Sequence, residues 1–443
     1  MIFYRKQVKL EGISTDDLEL IYNIFLPAGF LFFLPGLILK YRNRGGWKAT
    51  YSERFGRFST ERRKELESFR GAVWIHAVSV GETVVALSMI RAYQKLHPQR
   101  KFVISTTTTT GQELARKNCP ENCTVIFAPI DFPWIVRGTL DLIRPAMLAI
   151  FETELWPNLI WMCRKRGIPV SLVNGRISDH SCKGYFRFRC FFRPLLEHFN
   201  IMMMQSAEDE KRIKNISPGA ATLITGNLKF DQQLPEELGD PGYEKYFGNG
   251  KLILLGASTH SGEEALILES FAELKKEFSD LKLVLVPRHA ERADDVVAEI
   301  GKLALESHRR TAGDPEKEVD VLLADTTGEM LKLMSRADVV IMGKSLAGHD
   351  EGHNLIEPAL LRKAVVTGHV LRNFRVLLDL LRNGDGVVTI ADDRELVPRL
   401  GELFRSAELR EKLGGRAFEL VSANRGAAAR SIEELEKLAV TKD

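Results

Sequence analysis

Three carboxylates in the first half of the chain stand where proton chemistry could be done. Glu82 ends the stretch WIHAVSVGE, residues 74–82, and Glu152 and Glu154 lie in FETELWPN, residues 151–158. A carboxylate within hydrogen-bond reach of a bound hydroxyl can take its proton. Acids at a spacing of two share one side of an extended chain, so Glu152 and Glu154 would face the same ligand. Each has a structural alternative. A Glu at a helix start is favoured by the helix dipole, and the later pair could serve structure alone. Lys229, in TGNLKFD at residues 225–231, would set a positive charge beside a bound anion, or be an exposed hinge lysine. STTTTTG, residues 105–111, offers hydroxyls and N–H groups to a phosphate or sugar, or is a capping turn. The turn VNGRISD, residues 173–179, carries Arg176.

The second half offers groups suited to an anion. PRH, residues 287–289, places Arg288 and His289 at a strand end, and LLGASTHSGEE, residues 254–264, reads as strand, small-residue turn and helix start. In DTTGEM, residues 325–330, Gly328 would let backbone N–H groups approach a ligand closely. In MGKSLAGHDEGHNLIEP, residues 342–358, a Gly-rich turn opens a helix at Asn354. That helix presents Asn354 and Glu357 on one face, fit to hold a ribose diol while N–H groups hold a phosphate. Gly343-Lys344-Ser345 is not a P-loop, because Asp338 stands where the motif needs Gly. His349 and His353 lie four apart, but Gly352 separates them and no His-Glu-x-x-His is formed. No metal site is expected.

These strand-end positions require alternating strands and helices. Strands are expected at 72–78, 102–106, 124–127, 146–151, 169–173, 200–204 and 222–225. A second series follows near 251–255, 281–286, 319–322, 338–342, 364–367 and 386–390. Between them lie runs of helical period such as 83–96, 112–117 and 157–166. Such alternation implies α/β folding around parallel sheets. We divide the chain into 1–45, 46–230, a Pro-, Gly- and acid-rich linker at 231–250, 251–415, and a C-terminal helix at 416–443. The two α/β blocks read as Rossmann-like domains.

The 443 residues carry 44% hydrophobic and 27% charged side chains, as folded proteins do. A net charge of +3 gives no argument for nucleic acid. The five cysteines form no C-x-x-C pair, so neither a zinc ribbon nor a redox motif is expected. Residues 20–39, LIYNIFLPAGFLFFLPGLIL, hold no charge. That is about the length needed to cross a bilayer. The basic run over 40–64 would then put the rest of the chain in the cytoplasm. A buried or interfacial hairpin is the alternative. In SCKGYFRFRCFFRPLL, residues 181–196, Lys183, Arg187, Arg189 and Arg193 interleave with five aromatic rings. This fits a membrane surface, a nucleic-acid surface, or core aromatics beside solvated arginines.

Taken in order, SVGE, FETELWPN, NGR, TGNLKFD, PRH, DTTGE and GHNLIEP resemble the 3-deoxy-D-manno-octulosonic acid (Kdo) transferases of lipopolysaccharide assembly. The resemblance spans the chain from the amino-terminal anchor to about residue 375. It implies a GT-B glycosyltransferase whose two Rossmann-like domains face a cleft, behind a single-pass anchor in the cell inner membrane. It implies Kdo transfer, with inversion, from the co-substrate CMP-Kdo to the tetraacylated lipid A precursor, lipid IVA. No metal or resident cofactor is implied, and membrane lipid, not nucleic acid, is the further partner. By motif, Glu82 would be the general base, and Glu152 and Lys229 would support the transition state. Pro287, Arg288, Gly328, Glu329, Met330, Asn354, Leu355, Ile356 and Glu357 would hold CMP, while Ser79, Thr107 and Arg176 are candidates for the acceptor. Two residues depart from the family pattern, which usually has Gly where Lys344 and Glu351 stand. Residues 305–320 read as a variable loop. The rival readings are a GT-B enzyme using a UDP-sugar and a non-catalytic, membrane-anchored binding module.

Overall fold

A computed structural model of the protein describes residues 14–42 and 52–440. Its backbone divides into two units: residues 1–231 with 425–443, and residues 232–424. The first holds a sheet of seven parallel strands: β1 (Val73–His76), β2 (Phe102–Thr106), β3 (Cys123–Phe127), β4 (Met147–Phe151), β5 (Val170–Gly175), β6 (Ile201–Met204) and β7 (Thr222–Ile224). The second holds seven more: β8 (Leu252–Thr259), β9 (Leu281–Pro287), β10 (Ser307–Arg309), β11 (Val321–Leu323), β12 (Val339–Met342), β13 (Ala364–Gly368) and β14 (Val388–Ile390). Most of these are unbroken apolar runs. FVIST and MLAIF are buried at every position, as strands covered by helices on both faces must be.

Strand order is β3-β2-β1-β4-β5-β6-β7 in one sheet and β10-β11-β9-β8-β12-β13-β14 in the other. In each, the order reverses beside the first strand, between β1 and β4 and between β8 and β12. Chain leaving those strands diverges and opens a crevice at the carboxyl edge, where open α/β sheets take ligands. Both groups of sequence candidates fall at these edges.

Four differences from the sequence reading have local causes. Strand β10 lies inside the supposed loop 305–320. It is three residues long, part-exposed and without an aliphatic side chain, so it left no hydrophobic signal. Residues 231–250 are not a bare linker, since Tyr243, Tyr246 and Phe247 are buried. The last helix, Ala427–Val440, belongs to the first unit, where Ala427, Ile432 and Leu435 join the core formed by Val85, Met89 and Ile104. Asp231 accepts the N–H groups of Gly426 and Ala428 at 2.5 Å each, capping that helix from a remote point in sequence.

The fourth difference is at the amino terminus. A helix does form, Thr15–Arg42, but among the described residues none is long and apolar enough to cross a membrane. The expected single-pass anchor over 20–39 is therefore not supported here, and the side chains of its residues 33–39 lie outside the described residues. The start of that helix is docked on the first unit. Leu18 is buried in its core, and the Tyr22 ring meets Trp161 edge-on at 5.7 Å. Tyr22 donates to Asp131 at 3.0 Å, Asn23 and Asn158 exchange amide hydrogen bonds, and Glu19 pairs with Lys165. Leu20, Ile24, Phe25, Leu31 and Phe32 remain exposed.

Candidate active site

At the edge of the first sheet, β1 runs through Ala77 and Val78 into the helix Val80–Leu96, with Ser79 as its N-cap. Ser79 Oγ accepts the Glu82 N–H at 3.2 Å, while the Glu82 carboxylate accepts the Ser79 hydroxyl at 2.7 Å and the Val78 N–H at 2.8 Å. This is a capping box in which the carboxylate reaches back one residue further than usual. Glu82 thus helps to close the helix start as well as facing the crevice edge, and its residue is only 6% exposed. Burial pushes its carboxyl up to about 7, against the two hydrogen bonds, and repulsion from Glu152 and Glu154 adds to the rise. Each carboxylate oxygen accepts one bond and keeps a second lone pair.

Glu152 and Glu154 leave β4, the neighbour of β1 across the crevice. Glu152 has φ +54, the left-handed region that non-glycine residues seldom enter, and its N–H donates to Val173 at 3.0 Å. Such strain collects at functional sites. Glu154 is raised by burial, partly offset by a 3.3 Å bond from the Trp156 indole. Three carboxylates therefore share one electrostatic neighbourhood.

The other candidates of this unit scatter around that group. Thr107 donates its hydroxyl to Val78 at 2.9 Å, tying the β2 loop to the β1 turn. Thr108 caps the helix Thr109–Asn118, so STTTTTG is in the main a capping turn. Arg176 is exposed, and its carbonyl accepts the Thr153 hydroxyl. Lys229 sits in the 3-10 turn Leu228–Asp231, which Asn174 anchors by accepting Leu228 N–H at 2.9 Å.

Sequence reasoning passed over two buried polar groups here. His76 is fully buried at the end of β1, with Nδ1 2.9 Å from Ser105 Oγ and its ring edge-on to Trp156 at 5.0 Å. Burial lowers its pKa to about 3, so it is a neutral strut below the Glu82 turn. Asp131 accepts the Asn158 and Leu159 N–H groups at 3.0 Å and so fastens the start of the helix Pro157–Lys165, which follows the Glu152–Glu154 turn. Neither belongs to a motif whose spacing announces chemistry.

In the second unit the edge is organised by Glu263. Its buried carboxylate accepts four backbone N–H groups, those of His260, Lys344, Ser345 and Leu346, at 2.8–3.0 Å. The Lys344 and Ser345 amides are thereby committed within the protein, and the Gly343 N–H donates to Ala257 at 2.8 Å, a geometric reason they cannot act as a P-loop. Gly343 and Gly368 are required because a Cβ at either would collide with the backbone of Ser258 or Ser345. Glu264 accepts from Thr259 and from both terminal nitrogens of Arg292.

The residues expected around CMP are held as follows. Pro287 closes β9 and Arg288, exposed, donates its N–H to Thr259 at 3.0 Å. Gly328 has φ +88 with open space where a Cβ would be. The Glu329 side chain is turned onto Arg310, which grips it with two bonds of 2.8 and 2.9 Å, and the Thr326 hydroxyl adds a third. These hold its carboxyl at about 2. What this turn offers a ligand is therefore its backbone. Arg309 and Thr311 likewise bind Asp325, so residues 309–311 of the supposed variable loop are stitched to the turn before Met330. The helix after the Gly-rich turn is Ile356–Leu360, starting two residues later than expected, with Leu355 as its N-cap. Asn354 Oδ1 accepts the Ile356 N–H, and Gln232 bonds both Asn354 and Glu357. Lys344 and Glu351, the two departures from the family pattern, pair with each other at 3.7 Å. Glu351 thus offsets part of the charge of the lysine. Among the described residues, no group of three or more His, Cys, Asp or Glu is arranged to hold a metal ion.

Comparison with known proteins places this geometry. A family model described as 3-deoxy-D-manno-octulosonic-acid transferase (kdotransferase) matches residues 49–232. A 3-deoxy-D-manno-octulosonic acid transferase of Haemophilus influenzae is 31% identical over 368 residues, 82% of this chain and 86% of the relative. Its counterpart in Bordetella pertussis is 30% identical over 410 residues, covering 89% and 93%. Among solved structures, the UDP-GlcNAc 2-epimerase of Neisseria meningitidis aligns with TM-score 0.56 at 15% identity over 83% of this chain and all of that one. Acinetobacter baumannii MurG aligns with TM-score 0.52 at 12% identity, covering 83% and 99%. At such identities these two likenesses speak for the fold alone, an α/β fold of the GT-B type.

Proposed function

The chain belongs to the 3-deoxy-D-manno-octulosonic acid transferase family, and from that premise we propose that it moves Kdo from CMP-Kdo to a lipid A precursor in lipopolysaccharide assembly. The observation that carries the mechanism is the Glu82 carboxyl, raised to about 7 at the β1–β4 crevice. A general base works best with a pKa near the operating pH. In this reading Glu82 takes the proton of an acceptor sugar hydroxyl as that oxygen attacks the anomeric carbon of Kdo. The bond to the phosphate of CMP breaks, CMP leaves, and the configuration inverts. Glu152 and Lys229 balance the charge that develops. In the second unit Arg288, the open backbone at Gly328 and the Asn354–Glu357 segment hold CMP. One phosphate needs only a few cations and N–H groups, so the reaction proceeds without a metal.

The acceptor is a lipid, so we place the protein at a membrane surface. The exposed Leu20, Ile24, Phe25, Leu31 and Phe32 support this, as do exposed Phe186 and Phe188 beside Arg187 and Arg189. Tyr185, Phe191 and Phe192 pack instead against the core, so only part of that aromatic run is available to lipid. Incubation of the purified full chain with CMP-Kdo and lipid IVA, followed by mass spectrometry, tests the reading. A product heavier by one or more Kdo residues is expected. An unchanged acceptor, with active enzyme of a relative as control, would overturn it.

A further inference from the structure

Four histidines that the mechanism above does not use meet at the edge of the second sheet. His260, after β8, is central. Its ring lies 5.5 Å from that of His353 and stacked on it, 5.7 Å from that of His349, and 6.0 Å from that of His289. His260 Nε2 and His353 Nε2 face each other at 3.3 Å. The rings come from three loops, after β8, β9 and β12, around the point where the strand order reverses. His289 follows Arg288, and His353 precedes Asn354, so the cluster adjoins segments assigned to CMP.

The charges around it lean mostly one way. Lys344 and Arg288 act on His353, and Lys344, His289 and His349 act on His260, opposed more weakly by the Ser258 backbone at His353 and by Glu264 at His260. The acids within reach are engaged elsewhere. Glu263 is spent on four backbone N–H groups, Glu264 on Arg292 and Thr259, and Glu351 on Lys344. The pair is therefore a set of imidazoles in surroundings that lean positive, with the nearest acids paired to other groups. Burial, then the neighbouring cations, hold both rings below the usual histidine range, His353 at about 4. They are neutral at pH 7 and cannot be charged together at this separation unless an anion comes between them or beside them.

We propose that the His260–His353 pair, flanked by His289 and His349, is a proton-coupled anion site that takes the phosphate or the carboxylate of the sugar-nucleotide donor. This rests on the donor reading above and adds to it a proton. An arriving anion raises the imidazole pKa, so binding draws a proton from solvent. By linkage the anion binds more tightly as pH falls from 8 towards 6, and the gain fades as pH rises.

Titration calorimetry of the full-length protein at pH 7, in two buffers of different ionisation enthalpy, counts protons taken up. CMP and free Kdo serve as separate probes. Uptake with CMP assigns the cluster to the phosphate, and uptake with Kdo assigns it to the carboxylate. Substituting His353→Gln, with the melting curve unchanged, should abolish the uptake and weaken the responding probe about tenfold, the scale of one charge-assisted hydrogen bond. His349→Gln, further from the close pair, should weaken it less. Binding without proton uptake, or uptake that survives His353→Gln, overturns the inference and leaves the proposed reaction standing. Failure of CMP and Kdo to bind at all overturns both.

Discussion

Ser79 and Glu82 are each other's hydrogen-bond partners twice over: the serine oxygen accepts the Glu82 N–H at 3.2 Å, and the Glu82 carboxylate accepts the serine hydroxyl at 2.7 Å. One carboxylate is thus asked to start a helix and to receive a proton. The helix fixes its position, and fixed position is most of what a general base needs from its protein. Removing the side chain must therefore disturb both roles, and the two can be separated by the choice of substitution.

Glu82→Gln keeps the shape and an accepting oxygen but cannot take a proton. Kdo transfer should fall by about 10²–10⁴-fold while CMP affinity and the melting temperature stay close to the parent. Glu82→Ala should add a stability loss of about 1 kcal/mol from the missing cap. Parent-like turnover by the Gln variant would place the base elsewhere.

The pH profile follows from the sign of the shift. Glu82 must be ionised to act, and burial raises its carboxyl to about 7. kcat/KM should therefore fall on the acid side with a pKa near 7, about tenfold per pH unit below it. Glu152 contributes to that rise by repulsion. In Glu152→Gln the acid limb should move to lower pH, even if the maximum rate also drops.

Arg310 is not itself assigned to a ligand, yet it holds Glu329 with two bonds and the Pro241 carbonyl with a third. Arg310→Ala should loosen the Gly328 turn. We expect KM for the CMP-linked donor to rise about tenfold, equivalent to ~1.4 kcal/mol, with kcat little changed. Arg310→Lys should recover only part, since a lysine cannot make the paired contact. A loss confined to kcat would contradict a positioning role.

Glu263 tests the architecture of the second unit. Glu263→Ala would strand four N–H groups that now share one buried carboxylate. Each lost partner costs about 1–3 kcal/mol where water cannot replace it, so chemical denaturation should show a loss of about 3 kcal/mol or more, with Glu263→Gln between. A variant as stable as the parent would mean that the loop finds other acceptors.

The exposed apolar side chains of the amino-terminal helix should govern membrane contact. Ile24→Glu with Phe25→Glu should reduce co-sedimentation with anionic vesicles, leaving turnover of a detergent-dispersed acceptor intact. Unchanged sedimentation would rule out that face.

How much of this was legible in the sequence depended on the distance between partners. Strands such as β2 and β4 declare themselves because both faces are buried and every residue is apolar or small. Glu82 and Glu152 could be picked out because a strand ends beside each. Arg310 could not, because its partner Glu329 lies 19 residues on, across a strand and a turn. Glu263 meets Lys344 at a separation of 81, and Tyr22 meets Asp131 at 109. No local pattern encodes such pairs. The docking of the amino-terminal run was hidden for a related reason: its hydropathy suggests lipid, while Tyr22 and Asn23 are matched to Asp131 and Asn158, more than a hundred residues away. The histidines were visible at a spacing of four, but the ring that organises them, His260, comes from a different loop.

The remote cap that Asp231 supplies to the final helix has a consequence for manufacture, in the cell or at the bench. The polypeptide that starts the first unit is interrupted at Asp231 and resumes only at Arg425. A ribosome must translate the whole of the second unit before the first can be completed. Any attempt to express the first unit separately must graft the terminal segment back on, or the side of its sheet that the segment covers will meet water and invite aggregation.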